Sequence, residues 1–458
     1  MKSKLKTPTS KSVERRSDHN IPVDDGNPLL EPDPEILLPQ TQAFDIEELK
    51  KMSAAFVRYD VYGTLGRGKL PWPEKILLAV GLAFLVPTRV AMGMSILVLY
   101  YVICRLCTAF FYPNREDDRE DYAQIRGWQR EVIVRSGRFL SRLLLLVFGF
   151  YSIRETSLSK DVVGQLNNEP ASMDQYEELE RPGAIVSNHI SYIDILYHMS
   201  SSFPSFVAKR SVAELPLVGL ISKCLGCVYV HRGLKSSDFK GVSGIVNERI
   251  LEAHQDKSAP HMMLFPGYVF NGRLIAQVVW FFPRFCAVCS NYSIFHPFII
   301  YIIAFFQMDI KSVIILFLCF FCFFASFGLS AEGTTTNGDY LLKFKTGAFL
   351  AKTQVLPVIL RYPYQRFSAA WDSISGMRHL ILLLCQFVNY IEVTKLPVYH
   401  PSEQERKDPK LYAEHVRQLM ALKGNLILSD VGLAEKRVYL TALDGNLSMR
   451  NVLQQKDD

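Results

Sequence analysis

The first chemical signal is a histidine followed five residues later by an aspartate. Asn188-His189-Ile190-Ser191-Tyr192-Ile193-Asp194 comes directly after a strand-like apolar run at 184–186. An imidazole held by a carboxylate can take a proton from a hydroxyl and so turn an alcohol into a nucleophile. On a regular helix, residues five apart point about 140° away from each other. His189 and Asp194 can therefore meet only where a loop turns into a helix. The plainer reading is a helix start that holds a hydrogen-bonded histidine for structural reasons.

Three more groups follow. Arg232 closes the run Gly226-Cys227-Val228-Tyr229-Val230-His231-Arg232, and a guanidinium at a strand end can grip a phosphate with two hydrogen bonds. In Glu332-Gly333-Thr334-Thr335-Thr336-Asn337-Gly338, Gly333 lets a ligand approach the backbone, and threonine hydroxyls can donate to phosphate oxygens. Pro357 sits inside the apolar run 355–360, where a proline predicts an edge strand or a bulge. Lys209 and Arg210 are candidate phosphate contacts on charge alone. Each element also has a plain reading, as a solvated charge, a polar turn or a strand irregularity.

The elements that must position these residues are short apolar runs at 184–186, 206–208, 228–230, 262–265 and 355–360, most of them separated by helix-length segments. That alternation predicts an α/β domain with its chemistry at strand ends. Upstream, the apolar stretch 76–111 is long enough to cross a bilayer, which takes about 20 residues. Pro87, Thr88 and Arg89 interrupt it, so one tilted span from about Ala91 and a bent re-entrant pair both fit. A shorter stretch, 139–153, contains Arg142 and reads as an interfacial or buried helix. Residues 156–181 read as a loop, with a domain boundary near Arg181.

Apolar residues make up 49% of the chain and aromatics 12%, while charged residues are an ordinary 21%, a mixture that suits a folded domain with membrane segments. The net charge of +6 fits an anionic membrane surface, and no nucleic-acid module is present. Residues 1–52 are polar and read as a disordered tail without a signal-peptide core. Eight of the nine cysteines fall in C-x-x-C pairs. Most of these pairs lie in apolar runs with few polar neighbours, so reduced, packed thiols are expected in preference to zinc.

Taken together and in this order, the motifs resemble the four blocks of the glycerolipid acyltransferase superfamily. The third block, followed by Phe344-Lys345-Thr346-Gly347-Ala348-Phe349, looks like the lysophospholipid acyltransferase branch, and the set is most similar to the plant lysophosphatidylethanolamine acyltransferases. The resemblance implies an α/β acyltransferase domain over 181–400, with a central mixed β-sheet flanked by helices. The apolar stretches upstream are expected as membrane-associated helices over 70–154, and 401–458 reads as a charged, partly helical C-terminal tail. The resemblance implies His189 as general base with Asp194 as its partner, Arg232 on the acceptor phosphate, and Glu332, Gly333 and Thr334 shaping that acceptor site. Pro357 would support the acyl-CoA side. The expected substrates are acyl-CoA and a lysophospholipid in the bilayer, with lysophosphatidylethanolamine the expected acceptor and lysophosphatidate its rival. The expected site is the endoplasmic reticulum membrane. No metal or cofactor is expected, acyl-CoA being a substrate; its thioester is already activated, so no serine or cysteine nucleophile is needed.

The sequence departs from the family in one place. The third block should read Phe-Pro-Glu-Gly-Thr, but residues 267–331 separate Phe265-Pro266 from Glu332-Gly333-Thr334. This insertion holds 14 of the 30 phenylalanines, and its second half is almost wholly apolar. We read it as a retained intron translated in frame. U-rich intron sequence encodes such residues, and Gly267 and Ala331 are compatible with a GU donor and an AG acceptor. The competing reading is a membrane hairpin turning at Asp309 and Lys311. A split third block predicts weak turnover, and in the extreme an inactive membrane isoform or scaffold.

Overall fold

The computed structural model describes residues 53–109, 122, 125–158, 181–215, 217–230, 236–256, 258–266 and 334–443. The expectations for the 1–52 tail and the 267–331 insertion lie outside the described residues.

A five-stranded sheet forms the centre, in the order β1 (Ile153–Ser157), β8 (Ile391–Lys395), β7 (Val355–Arg361), β2 (Ala184–Ser187), β5 (Met262–Leu264). β2 runs parallel to both β5 and β7, while β7 and β8 are antiparallel, so the sheet is mixed. Every residue of β2 is buried. Being covered on both faces is why β2 reads as an unbroken apolar run and not as an alternating one.

Period-two alternation divides the sheet between two cores. Ile185, Met263, Val358 and Leu360 face one core, and Ala184, Val186, Met262, Val355 and Ile359 face the other. The first core includes buried residues of α1 (Trp72–Thr108), α2 (Trp128–Val147), α3 (Ile193–Ser201), α4 (Val218–Cys224) and α6 (Gly376–Cys385). The second holds Val246 and Ile250 of α5 (Ser236–Gln255) and Tyr412, Val416 and Met420 of α7 (Pro409–Gly424). The result is a sheet flanked by helices on both sides.

All five apolar runs are strands, but two of them leave the main sheet. β3 (Val207–Lys209) and β4 (Val228–Val230) form their own parallel ribbon, linked to β5 by a bridge between Ser205 and Met262.

The segment from Thr156 that reads as a loop begins inside β1. Its exposed side chains form cross-strand ion pairs, Arg154 with Glu392 at 2.8 Å and Glu155 with Lys395 at 2.7 Å. A strand stabilised by charges has no apolar run to mark it. β1 also carries the sheet upstream of Arg181, so that residue is not a structural boundary.

Residues 401–443 of the expected charged, partly helical tail are folded onto the domain. α7 packs on the sheet, β9 (Ile427–Ser429) pairs with β6 (Tyr340–Leu342), and α8 (Leu433–Leu443) follows. The charges that suggested a tail work internally: buried Arg417 donates to the carbonyls of Leu341 and Ser429 and to Asp430.

Upstream, Pro87 does not break the apolar stretch. α1 is one 37-residue helix with a π-helical stretch at Gly81–Leu85, where the wider turn accommodates the proline's missing donor. Arg89 is buried and donates to the carbonyls of Leu384, Gln386 and Phe387 at the end of α6. This cation therefore caps a neighbouring helix and does not face lipid. Gly81 is required here, because a Cβ would meet the Cys385 carbonyl oxygen at 2.6 Å. The outer face of α1 leaves Leu82, Phe84, Met92, Leu99 and Leu106 exposed. Among the described residues α1 alone is long and apolar enough to cross a bilayer. The stretch 139–153, expected as an interfacial or buried helix, is helical to Val147 at the end of α2, where Leu140, Leu144, Leu145 and Val147 are buried, and then leads into β1.

Candidate active site

The parallel strands β2, β5 and β7 deliver their carboxyl ends to one edge of the sheet. Residues 188–192 leave β2 as a loop, and α3 begins at Ile193, so the motif occupies a loop-to-helix junction. His189 Nδ1 lies 2.8 Å from Asp194 Oδ2, and both side chains are buried. The same oxygen accepts from the backbone N–H groups of Ile190 at 2.7 Å and Ser191 at 3.0 Å. Those two N–H groups belong to the buried loop ahead of α3, where an unpaired donor is costly. The aspartate thus fixes both the turn and the ring.

The fourth donor to Asp194 is one that the motif pattern does not reveal. Tyr362, immediately after β7, donates its hydroxyl to Oδ1 at 2.5 Å. Burial and the adjacent carboxylate push its phenol well above the ordinary range, so it serves as a donor at neutral pH. Asn188 makes a two-way clamp on the same strand, donating to the Leu360 carbonyl at 2.9 Å and accepting from its N–H at 2.8 Å. A carboxylate accepts only, so the imidazole proton belongs on Nδ1 and the basic lone pair on Nε2.

Both flanks of the split third block meet His189. Phe265 stacks on its ring, with centroids 4.3 Å apart and planes at 22°. Thr336 N–H donates to the His189 carbonyl at 3.1 Å, and Trp371 N–H donates to that of Ile190 at 2.9 Å. Thr334 is buried at the head of this segment. His198 sits edge-on to Phe265, 6.0 Å between centroids, and burial lowers its pKa to about 3, so it is neutral.

Arg232, Glu332 and Gly333 lie outside the described residues, as does the Lys209 side chain; Arg210 is half-buried beyond β3. Pro357 is buried in register with Val186, in a strand with neighbours on both sides. The expected edge or bulge is therefore wrong. The Leu360 N–H and C=O both point toward Asn188 beside β2, so by alternation those of Pro357 face β8. There its carbonyl accepts from Leu396 N–H at 3.0 Å, one position past the paired residues. The missing proline donor falls where the ladder has ended.

An acyltransferase family model matches residues 165–283, which include the His189 motif. The lysophospholipid acyltransferase LPEAT1 of Arabidopsis thaliana is 53% identical over 430 residues, covering 90% of this chain and 92% of its own. A lysophosphatidylcholine acyltransferase of Drosophila melanogaster is 30% identical over 267 residues, 58% of this chain and 37% of its own. Among solved structures, the 1-acyl-sn-glycerophosphate acyltransferase PlsC of Thermotoga maritima aligns with a TM-score of 0.34 at 14% identity, covering 76% of this chain and 97% of its own. With so much of both chains aligned to the Arabidopsis relative at that identity, this chain belongs to the lysophospholipid acyltransferase family.

Proposed function

We propose that the chain transfers a fatty acyl group from acyl-CoA to the free hydroxyl of lysophosphatidylethanolamine at the endoplasmic reticulum membrane. The observation that carries this reading is the 2.8 Å contact between His189 Nδ1 and Asp194 Oδ2 at the carboxyl edge of the sheet. His189 Nε2 takes the acceptor's hydroxyl proton, and the oxygen attacks the thioester carbonyl carbon. The C–S bond then breaks, and the CoA thiolate leaves with the proton that His189 had taken. Asp194 stabilises the transient imidazolium. Arg232 holds the acceptor phosphate, with Glu332, Gly333 and Thr334 around it, and Pro357 supports the acyl-CoA side. The step as written uses no metal or cofactor. The exposed apolar row on α1 supports attachment to the bilayer that supplies the acceptor and receives the product.

The test is transfer of labelled acyl groups from acyl-CoA to lysophosphatidylethanolamine, lysophosphatidylcholine and lysophosphatidate by membranes carrying the chain with and without residues 267–331. Lysophosphatidylethanolamine should be used best, and His189→Ala should abolish the product. A preference for another acceptor overturns the headgroup, and turnover surviving in His189→Ala overturns the base.

A further inference from the structure

Lys436, on α8, is buried in the segment that reads as a tail. Its ammonium donates to the Thr335 carbonyl at 2.7 Å, the Thr335 hydroxyl at 2.9 Å and the Trp371 carbonyl at 3.3 Å. Thr335 Oγ1 donates in turn to the Trp371 carbonyl at 2.6 Å, which ties the two segments together. The Phe56 ring lies 5.2 Å from the ammonium.

What these acceptors do on their other sides matters. The Thr335 carbonyl belongs to the same peptide unit as the Thr336 N–H, which donates to the His189 carbonyl. The Trp371 N–H donates to the Ile190 carbonyl. One cation therefore clamps both segments that grip the backbone of His189 and Ile190. It also polarises the peptide that lies between it and His189, because a charged donor on a carbonyl strengthens the hydrogen bond made by the same unit's N–H.

We propose that Lys436 is a positioning residue for His189, so that α8 is part of the catalytic apparatus. The proposal rests on the reading of His189 as base. Burial lowers the Lys436 pKa to about 8. The titratable and charged groups around it are Asp372, held by Arg58 at 3.2 Å, His379 on α6, and Glu435 and Tyr439 on its own helix. His379 is kept neutral by burial, and Tyr439 is raised to about 12. Loss of the Lys436 proton then weakens the clamp as pH rises through about 8. The same proton loss does not destabilise the fold. Between the folded and unfolded pKa values the unfolded chain binds more protons, so this group's contribution to stability rises with pH.

The experiment compares the full chain with Lys436→Met and Lys436→Arg, in parallel with and without residues 267–331, and follows kcat, KM and thermal unfolding from pH 7 to 9.5. Lys436→Met should lower kcat about 10- to 100-fold with KM for the lysophospholipid nearly unchanged. The unmodified chain should lose kcat above pH 8 while still folded, and Lys436→Arg, whose charge persists, should not. A folded Lys436→Met with full kcat overturns the proposal. Should Lys436→Met not fold, the pH profile decides, and a kcat that stays flat to pH 9.5 overturns it. His189→Ala, assayed alongside, separates the two readings. Lost turnover there with full turnover in Lys436→Met refutes positioning alone, while surviving turnover refutes the base and the positioning with it.

Discussion

Asp194→Asn tests the proposed chemistry at a single atom. Asp194 Oδ2 accepts three donors, from His189, Ile190 and Ser191, while Oδ1 accepts one, from Tyr362. An asparagine can be placed in two ways. With its NH2 toward the three donors, two buried backbone N–H groups lose their acceptor, at about 1–3 kcal/mol each. With its oxygen there, all three bonds survive, and the NH2 meets Tyr362, whose hydroxyl can turn to accept. The second arrangement wins, so the variant keeps its turn, its fold and the Nδ1–H tautomer. What it loses is the charge opposite the imidazolium formed during turnover. Opposite unit charges about 4 Å apart attract by about 4 kcal/mol at an effective dielectric of 20. At about 1.4 kcal/mol per tenfold, kcat should fall about 1,000-fold. The assay is steady-state acyl transfer with a thermal melt on the same preparation. Retention of more than a tenth of kcat by a folded variant would refute the electrostatic role of Asp194. A lost melt would refute the orientation argument.

Tyr362→Phe removes one buried donor to that carboxylate without altering ring packing; kcat should fall about tenfold, the worth of one hydrogen bond to a charged group, and an unchanged kcat would remove Tyr362 from the site. Arg58→Met leaves Asp60 and Asp372 without the buried guanidinium that both now contact. It should cost about 3–5 kcal/mol in denaturant unfolding, and a near-neutral result would show that the carboxylates find other partners. Deleting residues 267–331 should leave a folded chain, because Phe265 and Thr336 on its two sides already meet at His189. We expect that version to exceed the full chain in turnover; equal turnover would mean that the insertion does not disturb the acceptor site.

The His189–Asp194 contact was legible because it is local. A strand that ends in histidine, with aspartate five residues on, admits one meeting geometry, and the turn at 188–193 supplies it. The apolar strands were legible because burial on both faces leaves a continuous hydrophobic run. Strands and helices stabilised by charge were not. The end of β1 reads as a loop because cross-strand ion pairs stand where an apolar pattern would be, and residues 401–443 read as part of a charged, partly helical tail because Arg417 and Lys436 place their charges inside the fold. Pro357 looked like an edge marker, since a sequence does not say on which side of a strand a missing donor falls. Tyr362 and Lys436 lie far along the chain from His189, and only the packing of distant segments brings Tyr362 to Asp194 and Lys436 to Thr335 and Trp371. Sequence alone therefore determined that His189 and Asp194 should meet, which depends on residue types and a short spacing, and the order of its motif blocks carried the resemblance that gave the class of chemistry. The tertiary structure decided what holds that pair in place, because buried hydrogen bonds between remote segments leave no periodic trace in the chain.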